Sequence, residues 1–261
     1  MRTVSVARAV FAVTLMGLGI IGLLGRHLDP IWHSIPADLP ARGALTGLCA
    51  LLSLACGIGL LWRGSAATAA RVLLALLLLC LVLLKLPDIL RAPAVAVAYE
   101  SCGETAVLVA AAWVLYASLA TGWERRWLAF LAGPSGARHA RVLYGLAMLA
   151  FGVSHFAYLQ FTATLVPAWL PVRTAWVYFT GSAYIAAGVG LIAGVYARLA
   201  AALSALQMSL FTLLVWIPAV AVAHPNAAAL RELADSWTLS AGGWVLADSC
   251  RGMPWLARGA R

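Results

Sequence analysis

Eight apolar runs of helix length, at about 8–25, 42–62, 70–90, 103–121, 140–160, 174–194, 197–218 and 228–249, divide the 261 residues, and charged residues mark nearly every gap between them. A lipid-exposed backbone must satisfy its polar groups within its own segment, so apolar runs about 20 residues long point to spanning helices. Composition agrees. Hydrophobic residues make up 64% and charged residues 10%, with a mean hydropathy of +0.94, whereas a soluble domain carries about 25% charge. The reading is an all-α integral membrane protein of eight transmembrane helices.

The gaps alternate in charge. On the side of the N-terminus lie twelve arginines against Glu124 and Asp248; on the other lie six basic residues, including Lys85, against seven acids. Excess Lys and Arg marks the cytoplasmic side, so both termini are expected there. The overall charge of +9 reflects this bias and attraction to anionic membrane lipids. Nucleic acid is not an expected partner, because no basic run is interleaved with aromatics. Arg2 and Arg8 precede the first apolar run, but it has no small-residue cleavage site after it, so it reads as a span and not as a leader.

The chain repeats itself. Adding 131 carries Pro36 onto Pro167, Leu39 onto Leu170, Pro40 onto Pro171, Arg42 onto Arg173, Gly57 onto Gly188, Gly59 onto Gly190, Pro87 onto Pro218 and Trp113 onto Trp244. In the first helix the offset is 133, pairing Arg8 with Arg141 and Gly19 with Gly152. PAVAVA at 93–98 recurs at 218–223 with a different offset, which leaves the third loop's alignment open. Four helices per unit is an even number, so the expectation is two tandem four-helix bundles in parallel orientation, 1–121 and 141–261. The linker 122–140 contains WERRWLAFL, read as a cytoplasmic interfacial helix, then a GPSG turn. The small residues of the spans read as helix packing.

Within Arg141 to Leu191 two helices flank a short apolar loop. GVSHF at 152–156, VPAWLP at 166–171 and WVYFTG at 176–181 resemble the DoxX and DoxX-like membrane proteins, four-helix bundles named after subunits of an archaeal thiosulfate:quinone oxidoreductase. The resemblance is clearest over 141–248, with the first half a diverged copy that has Gly22 at the place of His155. Many relatives carry an acid after the TG pair where this chain has Tyr184. The resemblance implies a link to quinone or thiol redox metabolism in a bacterial inner membrane. It implies a quinone-interacting or redox-complex subunit with a soluble or membrane redox partner protein, and the residues themselves suggest no prosthetic group of its own. A non-catalytic scaffold and a small-solute or lipid carrier are the alternatives.

An ionisable side chain inside the bilayer is costly and calls for a reason. His155 lies fourteen residues beyond Arg141, about 21 Å along the helix. It is the leading candidate to meet a polar head such as a quinone carbonyl, with Tyr158, Trp169, Trp176, Tyr178 and Tyr184 as companions. The alternative is a neutral histidine that packs its helix. Lys85 lies at the same depth beyond Arg71; Asp88, three residues on, is its expected partner, with Pro87 between them. Glu104 aligns with Asp235, and both read as acids near helix N-termini. Five cysteines in no C-x-x-C pattern predict neither a disulfide framework nor a zinc site. With His155 as the one histidine deep in a span, no haem or other covalently bound cofactor is expected, and a bound quinone is the cofactor to look for. The chain has no P-loop, G-x-S-x-G or H-E-x-x-H motif.

Overall fold

The computed structural model describes residues 4–24, 41–221 and 227–257, and within them all regular structure is helical. In chain order the helices are α1 (Val6–Leu23), α2 (Arg42–Leu61), α3 (Ala66–Arg91), α4 (Ala96–Leu119), α5 (Gly122–Trp127), α6 (Gly133–Ala157), α7 (Leu159–Leu165), α8 (Arg173–Ala193), α9 (Ala197–Val220) and α10 (Ala227–Ser249). Seven of these, α1, α2, α3, α4, α6, α8 and α9, are long and apolar enough to cross a membrane. The protein is a multi-pass membrane protein. The helix α10 has the length but carries Arg231, Glu232, Asp235 and Asp248. The loop from Pro36 to Pro40, with Arg26, Asp29 and Asp38, lies outside the described residues.

Neighbouring helices pack in the order of the chain: α1 on α2, α2 on α3, α3 on α4, α4 on α6, α6 on α8, α8 on α9, and α9 on α10. The last of these also packs against α1 and α4. Two pairs approach closely for the same reason. A Cβ at Gly57 of α2 would lie 2.6 Å from the Ala12 carbonyl of α1, and one at Gly188 of α8 would lie 2.7 Å from the Gly145 carbonyl of α6. Only glycine lets the backbones come so near.

Burial singles out α4. Of its span, 78% is buried, against 28–44% for the other six. Its run from Thr105 to Ala117 is buried on every side, as an all-round apolar helix requires when protein surrounds it. Its N-terminus also lies seven residues ahead of the apolar run, so the polar stretch YESCGE at 99–104 is helical. Glu104 therefore stands two turns inside α4, and Asp235 two turns inside α10, too far in for the helix-end reading of either acid.

The segment between α4 and α6 is pinned down. Thr121 and Glu124 form a capping box at the start of α5, and Arg71 of α3 pairs with Glu124 at 2.9 Å. Burial would raise the Glu124 carboxyl, but the Thr121 backbone N–H, Arg71 and the Thr121 hydroxyl more than offset this and hold it below the usual carboxylate range. GPSG is not a turn between helices. It is the first turn of α6, with Gly133 at φ 61° and Pro134 at the helix start, where its missing N–H costs nothing.

Two helices share a local irregularity. A π-helical turn occupies Leu81–Lys85 in α3 and another occupies Thr212–Trp216 in α9, each two residues before a proline. Pro87 and Pro218 have no N–H for the carbonyls of Leu83 and Leu214, and the wider turn accommodates the gap.

Candidate functional site: a polar track across the packed helices

The extra residue of the π turn changes the phase of the helix, and Lys85 comes to face inward with Leu77 and Cys80, only 3% exposed. Its ammonium donates to Ser101 Oγ of α4 at 2.7 Å. Asp88 takes a different partner: it is exposed at the helix end and pairs with Arg91 at 3.0 Å.

Acidic side chains stand beyond Lys85. Glu104 is within electrostatic range of Lys85, Glu100 and Glu232. Glu100 in turn is within hydrogen-bonding reach of Ser154 on α6, whose hydroxyl also meets the Ala96 carbonyl at 3.5 Å. Tyr184 of α8, 3% exposed, feels the charge of Glu100 and reaches Gln207 of α9. A line of polar groups thus crosses the molecule from α3 through α4 and α6 to α8 and α9.

His155 is next to Ser154 in the chain and borders the far end of this line. Its Nδ1 donates to the Phe151 carbonyl at 2.8 Å, since a carbonyl can only accept. In the neutral ring this leaves Nε2 as an acceptor. The imidazole lies 5.9 Å from the Phe211 ring, nearly parallel, and 5.4 Å from Tyr184, edge-on, with Phe151 beside Tyr184 at 5.7 Å.

Of the companions expected for His155, Tyr184 alone joins it among the described residues. Helical geometry explains why. Val177, Gly181, Tyr184 and Gly188 form the buried stripe of α8, whereas Trp176 and Tyr178 flank Val177 and diverge by about 100° to either side. Trp176 packs on Phe179 and Tyr178 on Phe156, with Trp176 and Tyr178 themselves exposed. Trp169 is 69% exposed in the loop. Tyr158 accepts from the Val97 backbone N–H at 3.2 Å, tying the end of α6 to the start of α4.

Four residues of the track, Glu100, Ser101, Ser154 and Gln207, are not candidates on sequence. The signal available for Glu100 and Ser101 is their position one turn ahead of the all-apolar stretch of α4. Among the described residues no group of His, Cys, Asp and Glu has the arrangement of a metal site, and none of the five cysteines forms a disulfide.

A family model described as a domain of unknown function, DUF8561, matches residues 144–235. The matched stretch includes His155, Tyr184, Gln207 and Glu232, while Lys85, Glu100 and Glu104 precede it. No curated protein and no solved structure matches the chain.

Proposed function

We propose that the chain spans the inner membrane of a bacterium eight times, as two parallel four-helix repeats with both termini in the cytoplasm, and that it serves as a quinone-interacting subunit of a redox complex. The polar track carries this reading. Lys85, buried at a π turn and bonded to Ser101 beside Glu104 and Glu100, is an arrangement costly to hold in hydrocarbon unless it is used.

The repeat is supported by correspondences beyond residue identity. The π turns Leu81–Lys85 and Thr212–Trp216 are 131 apart, and so are Gly57 and Gly188, each seated on a carbonyl of the preceding long helix. The packing order α1, α2, α3, α4 matches that of α6, α8, α9, α10. In this arrangement α10 is the eighth span, its charged first turns lying beside the track. A periplasm-active reporter fused after Arg261 would be silent and one inserted near Asp29 active; the reverse pattern sinks the orientation.

A quinone carbonyl accepts a hydrogen bond, which Lys85 supplies at one end of the track, while at the other end His155 Nε2 accepts from a hydroxyl of the reduced quinol. Two-electron reduction to quinol also takes up two protons, and Glu104 and Glu100 line a route for them. The electrons come from a redox partner protein.

Lipid extraction and mass spectrometry of the detergent-purified full chain test this reading. A quinone should copurify, and Lys85→Met should lower its retention about tenfold, the scale of one charge-assisted hydrogen bond. His155→Phe tests the other end in the same way. Wild-type protein without quinone, or variants that retain it fully, overturns the assignment; a phospholipid or small solute in its place favours a carrier.

A further inference from the structure

The arginine-rich end of the molecule carries a feature the track does not use. Among the described residues there, Glu124 pairs with Arg71 and Asp248 with Arg251, so both acids are engaged by arginines, while Arg125, Arg126 and Arg138 are exposed. Around α5 stand three large aromatic side chains that the fold leaves outside: Trp123 at 63%, Trp127 at 70% and Phe130 at 61% exposure.

These side chains are not on a slack loop. The Arg125 Nε donates to the Ala120 carbonyl at 3.1 Å, Trp113 Nε1 donates to the Leu131 carbonyl at 3.0 Å, and His139 Nδ1 donates to the Phe130 carbonyl at 3.0 Å. Phe130 stacks on His139 at 4.1 Å, and Arg126 lies 5.8 Å over the Trp127 ring. The backbone is held so that aromatic rings and guanidinium groups project together.

We propose that this shelf binds the head groups of anionic phospholipids in the adjacent leaflet. Indole rings favour the level of the head groups, where an apolar body and a polar N–H are both satisfied. The arginines beside them match the phosphodiester charge, and a planar guanidinium can pair two phosphate oxygens at once. An acidic soluble protein would meet the same charge. Three exposed aromatics beside two arginines fit lipid better, since they supply the apolar area that an interfacial segment inserts among acyl chains.

The inference is independent of the quinone reading. Its test uses the full chain in detergent, offered phosphatidylglycerol and phosphatidylcholine in equal amounts, with retained lipid counted by native mass spectrometry. Wild-type protein should prefer phosphatidylglycerol, and the double variant Arg125→Gln, Arg126→Gln should lose about thirty-fold of that preference at low salt, from about fivefold per surface arginine. Equal retention of the two lipids by the wild type, or an unchanged preference in the double variant, overturns the proposal. So does an unchanged lipid preference with lost capture of an acidic protein, which would make the shelf a protein dock. Arg125 also holds the Ala120 carbonyl, so Arg126→Gln alone serves if the double variant misfolds; it should lose about fivefold, and no loss counts against the site.

Discussion

Among the contacts that join the first four long helices to the last four, α4 on α6 and α1 on α10 differ sharply. Where α4 meets α6 the surfaces are closed along their length: Ser154 meets the Ala96 carbonyl near one end, Gly103 lies against Phe151 and Ala147, and Gly136 nears Ala117 at the other end. Where α1 meets α10 an open groove of about 730 Å³ remains, lined mainly by apolar side chains such as Val10, Val13, Ile217 and Leu233. Among the described residues a single hydrogen bond spans it, Trp237 Nε1 donating to Thr14 Oγ1 at 3.0 Å. Trp237 stands 131 residues beyond Ala106, which is buried in α4. A methyl group takes little room between helices, and an indole takes far more. Helix association in a membrane depends on close packing of small residues, and the closed contact has them at Gly103, Ala147, Gly136 and Ala117.

The largest effect should come from moving that indole. Ala106→Trp inserts a bulky ring into a closely packed contact, and overpacking of this degree costs about 3 kcal/mol or more. Thermal unfolding in detergent should show a large loss of folded protein. Gly17→Leu is the matched control, because an added Cβ at Gly17, on the groove wall, meets no atom within 4 Å. A mild Ala106→Trp, or a Gly17→Leu as damaging as it, breaks the comparison.

The long helices themselves are legible as apolar runs. What escapes is partner choice. The Lys85 and Asp88 spacing describes a regular helix end, but the π turn sends Lys85 inward to Ser101, and Asp88 is left to Arg91 at the exposed end. Trp176 and Tyr178 look like companions of His155 because they are near it in sequence, whereas only Tyr184 has the phase of the buried stripe. Glu100 and Ser154 are 54 residues apart and meet only because α4 packs on α6, a pairing that the pattern of either helix alone does not specify. The true start of α4 is hidden in the sequence because apolarity marks where a helix enters lipid, not where its hydrogen bonds begin.

A smaller effect concerns the clamp beside the closed contact. Glu124 ties α5 to α3 through Arg71, close to the point where α4 runs into α6. Its carboxyl is held below the usual range in the folded protein. It therefore contributes stability that is present above the unfolded carboxylate value, near 4.5, and is lost as pH falls through the lower folded value. Glu124→Gln should lower stability at neutral pH and flatten this acid limb, as measured by thermal unfolding in detergent across the acid range. A variant with the wild-type pH profile would show that the clamp adds nothing.

The smallest effect lies in the groove. Thr14, which accepts from Trp237 across it, also donates to the Val10 carbonyl at 3.0 Å, so removing the indole N–H leaves the hydroxyl with a partner. Trp237→Phe should therefore cost no more than about 1 kcal/mol, the net worth of one hydrogen bond without an orphaned group. Thr14→Val should cost a similar amount. If the bond is what joins α1 to α10 there, the two changes will not add: a double-mutant cycle should return a coupling of about 0.6 kcal/mol, the usual size for a hydrogen bond between membrane helices. Strict additivity would mean that the helices are held by packing elsewhere along their length. A coupling of several kcal/mol would mean that the groove closes when the pair is intact, and the contrast with the α4 and α6 contact would then be one of degree.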